Sequence, residues 1–435
     1  MAHRAHLRYG ARVWHTLCPA AGTTGDGRKV AWRPISAPSV LGSGMTEMTA
    51  AREQRALAAS RMAVSAVFFV GGAGLTVWAT YIPILKARAG LDDAQVGLVL
   101  LCVSLGCLCG MPAAGFIRPR LGPLRSGALA GIAFAAASFG PAFGVTMPVL
   151  AASGYVIGVC FGFLDVCMNS HASALERELE RPIMSSVHAF FSLGNVAGAL
   201  AGGALIGSGL GIPSALGLAS LVLISIATAA VPWLWLPESH VREAAGTSIF
   251  RLPNLTMLGI GILTVLAFVI ELALIDWGAL YLVQATGSVP AQAAYGVAAF
   301  SLAMTGGRLW GDRIVRRLGP VTTIQISGAV AFLGIAIIVL APTTLTALPG
   351  FAVAGLGIAN LVPVFFSLSG RMPGIPPTAG IAMTVTIAYG GGLFGPPLIG
   401  FVAHSQGMRA AFVLLIGGAL VIAGMVRTVI PRDVR

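Results

Sequence analysis

The sequence predicts an all-α membrane protein whose twelve transmembrane helices form two parallel six-helix repeats. Three observations carry that reading. The 435 residues are 56% hydrophobic and only 10% charged, with a mean hydropathy of +0.87. Soluble domains run at about 25% charged, so these residues cannot build a water-exposed surface for a chain this long. Lipid can cover such a chain instead. Second, apolar runs of roughly 20 residues, each long enough to cross a bilayer, recur twelve times. Third, the chain matches itself at an offset of 197 residues.

The first six runs begin near Met62, Ala94, Leu124, Pro148, Met184 and Pro213. The second six begin near Asn254, Ala291, Val321, Ala347, Thr378 and Arg409. Within the self-match, Arg120-Leu121-Gly122-Pro123 returns as Arg317-Leu318-Gly319-Pro320, and eight glycines pair without a gap, from Gly90 with Gly287 to Gly203 with Gly400. Composition alone gives about three or four such glycine matches, so the halves are read as a duplication. The offset spans six helices, so both halves enter the membrane from the same side. That is a secondary-transporter plan with a site between the halves.

The net charge of +12 invites a nucleic-acid reading, but its distribution points elsewhere. With the N-terminus inside, 24 of the 27 Lys and Arg residues fall in inner segments, leaving Lys86, Arg88 and Arg409 outside. The positive-inside rule then places both termini in the cytoplasm. Residues 1–61 are a cytoplasmic tail, 62–236 and 254–430 are the two bundles, 237–253 is a cytoplasmic linker, and 431–435 is a short tail. The first 44 residues hold Arg4, Arg8, Arg12, Arg28, Lys29 and Arg33 against Asp26 alone. With no apolar core, this is not a secretory signal. A disordered tail, a start upstream of the true one at Met45, and a transit peptide all fit.

The loops after the second and eighth spans carry the repeated basic turn. Gly115, Arg120, Gly122 and Arg125, then Arg308, Gly311, Asp312, Arg313 and Gly319, resemble the Gly-x-x-x-Asp-Arg-x-Gly loop of the major facilitator superfamily. Pro119 stands where the first copy's acid belongs. A narrower resemblance is to the fucose-permease branch and its uncharacterised bacterial inner-membrane relatives. It rests on Phe68-Phe69 through Ile82-Pro83, on Asp165 with Asn169, on Glu271, Asp276-Trp277 and Tyr281, and on Asn360 with Pro363. The fucose carrier has a functional acid in its first span where this chain has Ala79. The residue 197 positions on from Ala79 is Asp276, an acid in the other half.

A charged group at mid-span costs roughly 3 kcal/mol on insertion scales, so the acids in or beside spans are the first site candidates. Glu271 is the deepest. Its repeat mate is Gly74, in a glycine stretch read as leaving room for water or solute. A carboxyl group in the bilayer can serve as a coupling proton site or as a structural anchor between helices. Asp165 and Asn169 stand i, i+4 on one helix face, and Ser185, His188, Ser192 and Asn195 form a stripe on the next span. Antiparallel neighbours bring Asp165 and His188 to similar depth, where they would couple their protonation or clamp the hairpin. Glu271, Asp165, Asp276 and His188 are therefore the proton-coupling candidates.

Asn169, Asn360, Ser192, Asn195, Thr76, Trp78, Trp277 and Tyr281 are the candidates for lining a solute cavity. Aromatics beside an acid suit a sugar or an organic cation, and an interfacial aromatic belt is the competing reading. Arg308 and Asp312, i, i+4 on the eighth span, are read as a gate ion pair. Asn360 with Pro363 marks a local helix break. Gly390-Gly391-Gly392 with Pro396-Pro397 marks a bending helix, with close packing through the glycines as the alternative.

No Gly-x-x-x-x-Gly-Lys-Ser/Thr loop is present, so no ATP motor is encoded. Cys102, Cys107 and Cys109 do not share one helix face, so neither a metal nor another cofactor is expected. The reading is a monomeric secondary transporter in a bacterial inner membrane. Its partners are a small organic solute, protons and the lipid bilayer, with no nucleic acid. Proton-coupled uptake of a sugar or similar polar metabolite is favoured by the subfamily resemblance. Efflux of amphipathic compounds and a non-transporting sensor or scaffold are the alternatives. With no nucleophile–base set, no enzyme is expected.

Overall fold

The computed structural model describes residues 40–179, 183–234, 253–375 and 377–430, and among these it is helical with no strand. The expected N-terminal tail up to residue 39, nearly all of the linker and the tail at 431–435 lie outside the described residues. Helix α1 spans Val40–Ala89, so it begins inside the segment read as tail. From Gln54 it belongs to the membrane body, Gln54–Arg435.

The chain then runs through α2 (Asp93–Ile117), α3 (Arg125–Phe143), α4 (Met147–Glu178), α5 (Met184–Gly207) and α6 (Ile212–Ala230). The second half holds α7 (Leu255–Asp276), α8 (Pro290–Leu318), α9 (Pro320–Leu340), α10 (Thr344–Ile358), α11 (Pro377–Gly392) and α12 (Met408–Val429). Eleven of these are long and apolar enough to cross a membrane. The remaining one is α8, which carries Arg308, Asp312 and Arg313 with Gln292 and several glycines. Asp312 and Arg313 are exposed toward its end, so Arg308 is the charge of this span that needs a partner inside.

Local chemistry explains the starts and breaks. Asp92 and Gln95 form a capping box on α2, satisfying two backbone donors at its first turn. Gly122 and Gly319 turn the chain after α2 and α8 with φ of 78° and 77°, a left-handed backbone that favours glycine. Three spans are interrupted. α7 continues past Trp277 as Gly278–Thr286, α10 past Asn360 as Leu361–Ser369, and α11 past Phe394 as Gly395–Gln406. The last two breaks fall at Asn360 and beside Gly392, as expected. The break in α7 was not foreseen, and no proline marks it.

The duplication is visible in the packing. A Cβ on Gly158 of α4 would lie 2.0 Å from the Val103 carbonyl oxygen of α2, and one on Gly355 of α10 would lie 2.3 Å from that of Phe300 on α8. All four residues obey the 197-residue offset. Helices this close need small residues at the crossing. Between the halves the partners exchange. Gly203 of α5 approaches Ala291 of α8, while its mate Gly400 in the second part of α11 approaches Asp93 of α2. The halves are thus related by a pseudo-two-fold axis.

The loops at 90–92, 208–211, 287–289 and 407 gather at the end remote from both described termini, here the distal end. There the halves touch closely. Gly97 packs against Pro396 and Gly400. Gln284 donates to Asp93 at 2.9 Å, and His404 lies 3.9 Å from Asp92. Lys86 pairs with the same Asp93 from within its own half.

Candidate functional site

Midway along the bundle, Arg308 of α8 makes three contacts to three other elements. Its Nη2 donates to Glu271 Oε1 of α7 at 2.9 Å, its Nη1 to Ser192 Oγ of α5 at 3.2 Å, and its Nε to the Ala359 carbonyl of α10 at 3.3 Å. The two charged side chains keep only 21% and 16% exposure, whereas Ser192 is fully buried. The ion pair predicted for Arg308 is therefore formed, but with Glu271 rather than Asp312. Asp312 is exposed near the end of α8. In water it gains little from pairing, while the enclosed Glu271 needs a counter-charge. Arg308 also crosses between halves, since Ser192 belongs to the first.

The break in α10 supplies one of those contacts. Asn360 is buried, donates through Nδ2 to the Gly307 carbonyl at 3.3 Å, and fills the space beside Gly311. A Cβ on Gly311 would stand 2.1 Å from Asn360 Oδ1. The glycines flanking Arg308 thus admit the broken helix against α8. The break leaves the Ala359 carbonyl to be held by Arg308.

In the first half, Asn169 donates through Nδ2 to Asp165 Oδ1 at 3.0 Å and to its carbonyl at 2.9 Å. Asp165 and His188 are not bonded to each other. Asp165 is occupied by Asn169, and the His188 ring stands edge-on to Phe68 at 4.9 Å. The side chain of Ser185 lies outside the described residues. Tyr389 of α11 falls within electrostatic range of Asp165, Cys107 and Glu271, and its ring stands 5.2 Å from that of Phe268. Sequence reasoning missed Tyr389. Its repeat mate is Ser192, the residue that receives Arg308, and the 197-residue offset could have exposed it.

Other predicted lining residues turn out to brace helices. Thr76 donates to Asn195 Oδ1 at 3.1 Å and to the Gly72 carbonyl at 3.0 Å, locking α1 to α5. The glycine stretch holding Gly74 is packed by Phe134, Phe191 and Asn195, so it leaves no room for solute. Tyr281 is buried, donates its hydroxyl to the Ile338 carbonyl at 2.9 Å and stacks on Phe412 at 4.1 Å. Trp78 is buried beside Ile82, Leu100 and Leu150 within the first half. Trp277 is buried as well. Asp276 borders a narrow crevice between α7 and α11, lined by Val269, Gly392 and Pro396, with no room for a water molecule. It stands five residues from Glu271, about 140° around the helix, so the two acids face different neighbours.

Arg308 thus gathers an acid, a hydroxyl and a backbone carbonyl drawn from both halves, with the Tyr389 phenol within electrostatic range of Glu271 and Asp165. Such a set can hold a proton, exchange it with an ion pair and hydrogen-bond a polar solute.

The family model of the Major Facilitator Superfamily matches residues 63–390. An uncharacterised MFS-type transporter of Yersinia pestis is 34% identical over 83% of this chain and 94% of its own length. The membrane protein MosC of Rhizobium meliloti is 33% identical over 83% and 88%. Among solved structures, the nucleoside transporter NupG and a D-xylose-proton symporter each superpose with a TM-score of 0.68 at 15% identity, covering 86% of this chain and 98% of theirs. The E. coli fucose:proton symporter FucP superposes with a TM-score of 0.57 at 16% identity, covering 85% and 98%.

Proposed function

Because the chain belongs to the Major Facilitator Superfamily, we propose that it is a proton-coupled secondary transporter moving a small polar organic solute by alternating access. The observation that carries this reading is the Arg308 junction, which ties the buried acid Glu271 to Ser192 of the other half. While Glu271 is ionised, it holds the guanidinium. A proton on Glu271 cancels that attraction and frees the planar donor fork for oxygens of a solute. Asp165, Asn169 and Tyr389 offer acceptors and donors from the opposite side. The halves 62–236 and 254–430 then rock about this centre. The close distal contacts make the present state closed at that end.

The positive-inside distribution assigns the termini to the cytoplasm of a bacterial inner membrane, and nothing in the cycle needs more than one copy. A hydroxylated solute is favoured because the neighbours include xylose, fucose and nucleoside carriers, and because the central groups are hydrogen-bonding rather than apolar. The test is a thermal-shift screen of the detergent-purified chain at two pH values against monosaccharides, nucleosides, polyols, organic acids and cationic amphiphiles. A ligand of the folded state must raise its apparent stability. Stabilisation by a hydroxylated solute that varies with pH and is lost in Glu271→Gln is the expected result. Stabilisation by amphiphiles alone would overturn it in favour of efflux.

A further inference from the structure

Pro363 stands four residues beyond Ala359, where an α-helix would return an N–H to the Ala359 carbonyl. Proline has no N–H to give. On either side, Ala359 N donates to Gly355 at 3.1 Å and Val364 N to Asn360 at 3.1 Å. The orphaned carbonyl between them receives Arg308 Nε at 3.3 Å. A buried carbonyl needs a donor, and the guanidinium is the one that reaches it. At the end of α9 Pro342 likewise cannot donate to Ile338, but there the carbonyl takes a backbone N–H from Ala341 at 3.3 Å as well as the Tyr281 hydroxyl at 2.9 Å, so it is not orphaned.

We infer that Pro363 is a positioning residue for Arg308: by withholding one backbone N–H, it creates the third anchor that holds the guanidinium between Glu271 and Ser192. A guanidinium tied only to a carboxylate and a hydroxyl could swing with either partner. The carbonyl fixes its Nε edge, so that a change at Glu271 is felt at the α10 break and at Ser192 together. Pro363 touches neither solute nor proton and acts only through Arg308. The inference rests on the reading of Glu271 and Arg308 as the coupling pair, but its test needs no transport.

The experiment compares Pro363→Ala in two backgrounds of the full chain, purified in detergent, by apparent Tm. In the otherwise unaltered chain the new N–H competes with Arg308 for one carbonyl, so Pro363→Ala leaves Tm unchanged or lowers it. In the Glu271→Gln/Arg308→Met background the carbonyl has lost its donor. There Pro363→Ala supplies one and raises Tm by about 1–2 °C. An equal shift in both backgrounds would mean that Pro363 only shapes the helix, and the inference would fall. Should the double background not fold, Arg308→Lys replaces it: lysine keeps the charge beside Glu271 but brings no Nε–H to the Ala359 carbonyl, so Pro363→Ala raises Tm there, and an unchanged or lowered Tm overturns the inference. Failure of the solute screen with this pattern intact would count against the transport reading alone.

Discussion

Arg308 donates to Glu271 across 2.9 Å, from α8 to α7, and leaves the acid one turn along its own helix, Asp312, to solvent. The choice follows from desolvation. An enclosed carboxylate without a counter-charge costs several kcal/mol, whereas an exposed pair is worth about 0–1 kcal/mol. Asp312→Asn should therefore change stability by less than about 0.5 kcal/mol, and Glu271→Ala should cost about 1–3 kcal/mol by leaving Arg308 uncompensated. Thermal unfolding of the two variants side by side checks this. Equal losses would assign the pairing wrongly.

Coupling has its own signature. In proteoliposomes, Glu271→Gln should abolish accumulation driven by a pH gradient while sparing exchange of labelled solute, because glutamine keeps the shape but cannot carry the proton. Unchanged accumulation would remove Glu271 from the proton path.

Gly311 is the point where α8 admits the broken α10. Gly311→Ala places a Cβ 2.1 Å from Asn360 Oδ1, so Asn360 must leave its bond to Gly307. The cost is about 1–3 kcal/mol. Asn360→Ala in the same chain should relieve most of that penalty. Strict additivity of the two substitutions in a stability cycle would show that the contact is not the cause.

Two predicted cavity residues should behave as structure. Tyr281→Phe removes one donor from the Ile338 carbonyl and costs about 0.5–1.5 kcal/mol. Thr76→Val loses the bond to Asn195 at a similar cost. Neither should alter which solute stabilises the chain in the thermal-shift panel. A changed ligand profile in either variant would return that residue to the cavity.

The distal closure can be locked. Gln284 and Asp93 meet through their side chains across the halves at 2.9 Å, so cysteines at the two positions should be bridged by a short, reducible thiol-specific cross-linker that spans them and stops solute exchange, with reduction restoring it. Exchange that persists in the fully cross-linked protein would show that this end need not open.

Much of the architecture was legible along the chain. Apolar run length, the 197-residue offset and the turn glycines Gly122 and Gly319 are local or periodic properties, and a bilayer permits few folds that satisfy them. The pairing of Asp165 with Asn169 was legible for the same reason, because i, i+4 spacing fixes neighbours on a helix. Asn360 and Pro363 announced their break because proline removes a donor wherever it stands. The sequence by itself thus determined twelve helices, their duplication and the acids on which a transport reading depends.

Only the tertiary structure decided which acid takes Arg308, that Tyr389 comes within electrostatic range of acids from both halves, and that Thr76, Asn195 and Tyr281 brace helices instead of lining a cavity. These outcomes depend on how far each helix is rotated and on which small residues let backbones meet, as Gly72, Gly194 and Gly307 do. Helical spacing gives a residue's face relative to its own neighbours. What that face meets is set by packing between segments 50 to 200 residues apart, where burial and hydrogen-bond satisfaction select the partner.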